Sequence, residues 1–492
     1  MKSLNTTGIN NRRGKFAAFF FLVLLSVVAR AQNGTVSLYS RYGIGDLNFS
    51  GYARNLAMGG IQTGLNQANY INAGNPAALA NCFFTVFEAG ANFEEAQLQT
   101  SSTSQYSNAA ALSYFDMAFP IKPEKWTLGF GLRPYSKVGY SVKESLTTPF
   151  GDDQYNTFKG SGGVNNFHLG TGFRIAKNLN AGASAEFLFG VINQDRTVEF
   201  HSSYYMSTLD KQSTSIGWFH YTFGLQYTMD SLRLSPSDSI VEIDRRIMLL
   251  NDSIQKIIRR DTGRTSTLYA ELNAMKQQLA AAKAEKKSVV NRKKKGDWQL
   301  CFGLSASPDA SLRTHYSNVA SSFRYVNVAE ETYYIRDTVI YSPSTEGKIK
   351  LPMSASFGVC LRNTGHWLIG ADYSIQQWSN FETNGVKDSL NDSWRVSLGA
   401  QFTPGETARS LTYRLGGHYE QTYFNFNGYK INETGISFGM GIPVKKAGTN
   451  LHLSFELGSR GTVEHNLIKE NYLRFTLGLT INDKWFIKPK YD

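Results

Sequence analysis

The residues of this chain that could do chemistry fall into three groups. Six charged residues, Asp372, Arg395, Arg414, Glu420, Glu456 and Arg474, sit inside strings of alternating apolar residues, on the face opposite the apolar side chains. Carboxylates and arginines gathered on one face could act as acid–base pairs, or as a network that hydrogen-bonds something held against that face. The eight histidines are scattered without metal-ligand spacing, and there is no G-x-S-x-G, no Walker loop and no H-E-x-x-H. Gly151-Asp152-Asp153 reads as a loop turn rather than a cation site. No enzyme, cofactor or metal is expected. The cysteines are an odd set, Cys82, Cys301 and Cys360.

The third group lies near the start of the chain. "AMGGIQTGLNQANYINAGNPAALAN", Ala57 to Asn81, is rich in glycine, asparagine and alanine, with Arg54 just before it and Asn75-Pro76 inside it. It is too loose for a helix and lacks the alternation of a strand. Glycine supplies tight turns, and asparagine bonds its own backbone or a neighbour.

The elements that must position these residues are strands. "LRFTLGLTI" puts Leu473, Phe475, Leu477, Leu479 and Ile481 on one face and Arg474 and Thr476 on the other. "WRVSLGAQF", "LHLSFELG" and "YRLGGHYEQTY" repeat the pattern, which is the period of a β-strand. Apolar and aromatic residues on one face with Arg, Glu, His or Gly on the other fit lipid outside and a polar lumen inside. Fourteen such strands begin near Phe83, Asn108, Trp126, Gly163, Leu179, Ser215, Trp298, Lys348, His366, Ser393, Leu411, Glu433, Asn450 and Asn471. An even number is what a single-chain bacterial barrel requires. The fold class expected is therefore all-β: a 14-stranded transmembrane antiparallel β-barrel with an N-terminal hatch.

The first residues agree with that compartment. Arg12, Arg13 and Lys15 precede an apolar run from Phe16 to Val28, and Ala29-Arg30-Ala31 has the form of a cleavage site. This predicts a signal peptide over residues 1–31, cleaved after Ala31, and a place in the outer membrane of a Gram-negative envelope. The run is short for a membrane anchor, and no later window is long and apolar enough for a spanning helix. Cys301 and Cys360 fall on adjacent antiparallel strands, both facing the lumen near one end. In an oxidising compartment a cross-strand disulfide is open to them; two free small side chains are the other reading.

Connections alternate in length. "PIKPEK", "AKNLN", "RNTG", "TPGETARS" and "PVKKAGT" are short, and those around residues 144–162, 312–347, 382–392 and 462–470 are longer. Short periplasmic turns and long outer loops account for this. The exception joins strands six and seven, residues 231–296. Ile240, Ile243, Ile247, Leu250, Ile254 and Ile257 recur at spacings of three and four, as do Leu268, Leu272, Met275, Leu279 and Ala282. Two such stripes predict an antiparallel helical hairpin on the periplasmic side. Its fifteen Lys and Arg against seven Asp and Glu, with the five basic residues of the signal peptide, account for the net charge of +12. Nucleic-acid binding is thus not implied. The basic run Lys293–Lys295 suits anionic lipid headgroups, and the hairpin suits a periplasmic or envelope partner; the two are compatible.

"RNLAMGG" from Arg54, then Asn75-Pro76-Ala77, then a strand with Phe87, Gly90 and Phe93, resembles the start of the FadL/TodX outer-membrane transporters of hydrophobic compounds. The ending "RFTLGLTINDKWFIKPKYD" looks like the last strand of such barrels in Bacteroidota. The resemblance implies fourteen strands, a hatch over residues 32–82, a kinked third strand that opens the wall sideways, and small apolar ligands, fatty-acid-like or aromatic. Pro134 in "WTLGFGLRPYSKVGYSV" is where that kink would fall; an ordinary bulge is the plainer reading. Arg54, Asn75, Pro76 and Pro134 are then the ligand and gate candidates. The helical insertion is a departure from the family and keeps open a second role, as the barrel subunit of an envelope or secretion assembly. The partners expected are outer-membrane lipid, a small apolar ligand, and a protein on residues 231–296.

Overall fold

In the computed structural model the described residues run from 35 to 483, apart from 36, 50, 150, 201–204, 230–245, 249, 255–265, 294–297, 328–331, 364–365, 406–409, 427 and 445–447. The expected signal peptide, the last nine residues, much of the first helical stripe and most of the basic run lie outside them. No described helix is long and apolar enough to cross a membrane, which says nothing of a barrel.

Fourteen strands close into one antiparallel barrel. They are β1 Thr85–Gln99, β2 Ser104–Lys122, β3 Trp126–Thr147, β4 Asp153–Ala176, β5 Leu179–Phe200 and β6 Ser207–Met229. Then come β7 (Trp298–Ser307 continued by Ala310–Asn327) and β8 (Thr332–Leu351 continued by Ser354–Asn363). The remainder are β9 Trp367–Gln376, β10 Ser393–Phe402, β11 Thr412–Phe426, β12 Tyr429–Pro443, β13 Asn450–Arg460 and β14 Lys469–Asp483. β14 closes on β1 from Lys469 opposite Gln99 to Asp483 opposite Thr85. The breaks in β7 and β8 fall at Pro308 and Pro352. A proline there removes a ladder donor without unpairing the strands on either side.

The alternation fixes which side is lipid. Leu415, Ile436, Leu457 and Leu473 are exposed on the outside, while their neighbours Arg414, Ser437, Glu456 and Thr476 are buried inside. An outward apolar face needs a bilayer, because a water-facing one would be an aggregation surface. The strands exceed the ~9–11 residues that a tilted crossing requires. β4 has 24 residues and β6 has 23. Residues 144–147, 153–162, 312–327 and 332–347, expected in loops, are strand extensions beyond the membrane. Once both faces meet water the period-two signal fades, so sequence alone places the strand end too early.

At the opposite end from those extensions, Ser266–Lys293 forms one long helix. Ile254 and Ala282 are buried there and Arg246 pairs with Glu285 at 3.6 Å, so the two helical stretches touch. Among the described side chains of the helix, Met275, Leu279 and Ala282 of the expected stripe are shielded, as is Lys286.

Candidate functional site: the plugged lumen and the split wall

A wall of fourteen strands encloses more space than its own side chains fill. Residues 35–82 occupy that space in two layers. The lower layer is the glycine- and asparagine-rich stretch. Its short 3-10 helix Pro76–Asn81 is capped by Asn75, whose Oδ1 accepts the Ala77 N–H at 3.0 Å. The Asn75 amide donates to the carbonyls of Thr63 (3.1 Å), Leu225 (3.0 Å) and Leu304 (3.3 Å). One side chain thus ties the plug to itself and to the wall strands β6 and β7. The wall makes room with inward glycines. A Cβ at Gly182 or Gly224 would overlap Pro76 or Asn75, and one at Gly399 or Gly416 would overlap the Met58 backbone.

Arg54 is the second anchor. It is 2% exposed, pairs with Glu88 of β1 at 3.3 Å, and bonds the carbonyl of Ile71 and Asn55 Oδ1. Its guanidinium lies 4.2 Å over the Tyr70 ring. Glu88 also accepts the Ile71 N–H at 3.0 Å. Asp372 of β9 is the third, accepting the N–H groups of Gln62 and Thr63 at 2.6 and 2.7 Å. Arg395 is the fourth: it pairs with Glu420 at 2.9 Å, reaches the Gly59 carbonyl and covers the Phe49 ring at 4.3 Å. Of the six charges expected on the lumen face, Asp372 and Arg395 bond the plug directly, while Glu456 and Arg474 pair within the wall at 3.1 Å. Cys82, at the foot of the plug, is fully buried, and burial pushes its thiol up to about 12.

The upper layer is the segment from Thr35 to Leu47. Tyr39 and Ile44 enter an apolar cluster built from Val138, Leu188, Ile216, Leu312, Trp378, Tyr423 and their neighbours. At its edge Arg460 draws together Asp46 (3.0 Å), Glu433 (2.6 Å) and Glu470 (3.8 Å), and Glu470 accepts from the Ser37 hydroxyl at 3.0 Å. Burial holds the Asp46 carboxyl above its ordinary range, against the pull of Arg460. Between the layers lies a cavity of about 270 Å³, lined by Asp46, Glu94, Lys137, Asp372, Arg395 and Arg474 among others. Its wall is mostly polar.

Pro134 marks a split. β2 and β3 pair only from Phe115 opposite Leu132 to Lys122 opposite Trp126. Beyond that β3 runs on with β4 to Thr147, and β2 runs on with β1 to Ser104. Among the described residues the two strands share no further ladder. β3 bulges between Pro134 and Ser136, which turns Val138 and Tyr140 inward. The plug fills the freed edge. Asp46 and Leu47 pair with Lys137 and Ser136 as a two-residue strand, and the amide of Asn48 donates to the Pro134 carbonyl at 3.2 Å. Gly45 takes φ +100, and a Cβ there would overlap the Lys137 carbonyl.

Arg54, Asn75-Pro76 and Pro134 therefore make no common pocket; they anchor one plug at three places. Cys301 and Cys360 are directly opposed across β7 and β8, both buried against Met58, Ile61 and Leu65, and both are free thiols. Sequence reading missed Glu88, Glu433, Arg460 and the strand Asp46–Leu47. Alternation alone puts Glu88 inside, but its partner Arg54 lies 34 residues away in a single helical turn, Ala53–Leu56, that has no periodic signal.

The family profile described as BamG matches residues 15–241 and 255–492. The chain belongs to the BamG family. No curated protein matches it. Among solved structures, this BamG-family barrel is similar to a toluene transporter TodX of P. putida, at 12% identity and TM-score 0.53, over 89% of this chain and 100% of that one. It is similar to a Pseudomonas aeruginosa FadL homologue, at 10% identity and TM-score 0.52, over 89% and 99%. A third is the monoaromatic hydrocarbon channel CymD, at 14% and 0.50, over 89% and 99%. The fold is thus the one these three proteins share. Two of these neighbours are named as a transporter and a channel. The Bacteroidota character rests on the C-terminal strand's resemblance alone.

Proposed function

We propose that this barrel works with its lumen closed, as the outer-membrane subunit of an envelope assembly that docks a periplasmic protein through residues 231–296. The observation that carries this reading is the plug. Its anchors are buried ion pairs and carbonyl bonds to strands around the wall. The chain's own Tyr39 and Ile44 occupy the apolar upper lumen. The cavity between the layers sets charged groups such as Asp372, Arg395 and Arg474 beside apolar ones such as Phe49 and Trp394, and an apolar ligand seated there would strand the charged groups. The long helix at the end with short turns offers a docking surface of about 40 Å in length at 1.5 Å per residue.

A second reading is favoured by the split between β2 and β3: passage of small hydrophobic molecules, fatty-acid-like or aromatic, from outside into the bilayer. The split lies beside the cavity and is covered by Asp46 to Asn48, with Ile44 and Ser40 also bonded to β3. In that reading Pro134 shapes the gate, while Arg54, Asn75 and Pro76 hold the plug.

Deleting Ser235–Asn291 separates the two. Loss of a co-purifying envelope protein with unchanged uptake of labelled toluene and oleate supports the assembly reading. Unchanged co-purification, or uptake that falls when Asn48 and Leu47 are replaced but not when the arm is deleted, overturns it in favour of transport.

A further inference from the structure

A row of four residues crosses β11 to β14 in the lumen wall. His418 is opposite Gly435, Gly435 opposite Gly458, and Gly458 opposite Tyr472. The two glycines leave a trough. A Cβ at Gly435 would strike the His418 ring, and one at Gly458 would strike the Tyr472 ring, so the rings lean over the glycines from both sides. Between them stand Glu433 and Glu456. One donor atom from each of His418, Glu433 and Glu456 falls within 4.8 Å of the others, and all three residues are buried.

Two observations show that the protein's own groups do not satisfy this trough. The His418 side chain is 1% exposed, and neither ring nitrogen has a hydrogen-bond partner; its Nε2 stops 3.6 Å from Glu433 Oε1. The Tyr472 hydroxyl, with one proton, faces two carboxylate oxygens, Glu433 Oε1 at 2.6 Å and Glu456 Oε1 at 3.1 Å. Charge is unbalanced as well. Arg460 serves Asp46, Glu433 and Glu470, and Arg474 serves Glu94 and Glu456. Five carboxyl groups share these two guanidiniums, with the buried Lys137 acting on Glu94 and Asp46 as well. Carboxyl groups that outnumber their cations, beside a buried imidazole whose single charged contact is a long one to Glu433, are the donor set of a cation, since uncompensated buried charge is costly.

We propose that His418, Glu433 and Glu456 bind one divalent d-block cation, with Zn2+ the preferred ion. An imidazole nitrogen and two carboxylates suit Zn2+, whereas Ca2+ and Mg2+ take oxygen alone. Ligand distances of about 2.0–2.2 Å set tetrahedral donors about 3.3–3.6 Å apart, so donors within 4.8 Å of one another must close by up to about 1.5 Å. Arg460, Arg474 and Tyr472 then hold the carboxylates from behind, as outer-shell partners do. The ion would cross-link three strands beside Asp46 of the upper plug, fixing that corner of the lumen. The site stands whichever reading of function holds.

The test uses the full-length barrel without a histidine tag, stripped with EDTA, equilibrated with Zn2+ and dialysed. About one equivalent should remain by mass spectrometry of the metal, and Co2+ in its place should give the visible absorption of a low-coordinate site. His418→Ala and Glu456→Gln should each weaken retention at least tenfold, since even outer-shell losses cost 10–100-fold. His452→Ala, a lumen histidine beside Arg414 instead of carboxylates, should keep the ion. A wild-type barrel that is folded by heat-modifiability yet binds less than about a tenth of an equivalent overturns the proposal; protons would then neutralise the trough. Equal retention by His418→Ala also overturns it, since the ion is then adventitious. The cobalt spectrum needs no variant, so a misfolded mutant does not spoil the test.

Discussion

Replacing Arg54 by Met should loosen the lower plug while leaving the barrel wall intact. Met keeps the length of the stem over Tyr70 but removes the guanidinium, so Glu88 stays buried with the Ile71 N–H as its remaining plug contact. Breaking a buried ion pair by deleting one partner costs about 3–5 kcal/mol, because the other charge is left uncompensated. At 1.4 kcal/mol per decade, the equilibrium for detaching this part of the plug shifts by roughly 10²- to 4 × 10³-fold. Hydrogen exchange at the Ile71 amide reads that shift directly, since this N–H donates to Glu88. Arg54→Met with Glu88→Met should recover most of the loss, because removing both charges leaves no orphan. The reasoning fails if Arg54→Met exchanges within about threefold of wild type. It also fails if the double variant is no better than the single one, for then the cost lies in packing and not in charge.

Other outcomes follow from the same contacts. Asn75→Ala removes a 3-10 helix cap and three carbonyl partners; a cap alone is worth about 1 kcal/mol, and limited proteolysis should cut the plug near residue 75 faster than in wild type. Gly416→Val drives a side chain into the Met58 backbone, so this barrel should assemble with its plug displaced and show larger single-channel conductance. A disulfide engineered at Leu47→Cys and Ser136→Cys pins the sealing strand in the split. It should abolish lateral uptake and leave assembly untouched. Ile436→Lys puts a charge on the lipid face and should cost about 2–4 kcal/mol if it sits near the bilayer midplane, measured by urea unfolding in vesicles. Denaturing alkylation without reductant should label all three cysteines, as three free thiols require.

Much of the wall was legible because the bilayer imposes a strict alternation. Trp126, Leu179, Trp298 and Asn450 begin strands where the period begins. The alternation also placed Asp372, Arg395 and Glu456 inside. It could not place their partners, because the plug has no period; its fold is set by which carbonyls and glycines the wall presents. Asn75 was visible as a residue type, but its bonds to Leu225 and Leu304 join segments 150 and 229 residues away. The strand Asp46–Leu47 was invisible for a related reason. Two residues carry no periodic signal, and their pairing depends on an edge that exists only because β2 and β3 part at Leu132.

That parting ties the two seals of the barrel together. An unpaired strand edge within a membrane leaves backbone N–H and C=O groups without water, at a cost of several kcal/mol each. The cheapest cover is another strand, and the chain supplies it from Asp46 to Asn48, inside the same segment that places Tyr39 and Ile44 in the upper lumen. Side and top are therefore closed by one stretch of about ten residues. Withdrawing it to open the split would also uncover Val138, Leu188 and Trp378 and strip Arg460 of Asp46. Lateral opening cannot be a small local motion here; it must pull apart an apolar cluster and a buried ion pair together. A ligand could drive that only by binding the open state far more tightly than the closed one, by about 5.5 kcal/mol to invert a 99:1 population. A cavity of about 270 Å³ with charged groups in its wall limits what a small apolar molecule can supply, whereas a protein seated on the long helix could draw on a large interface.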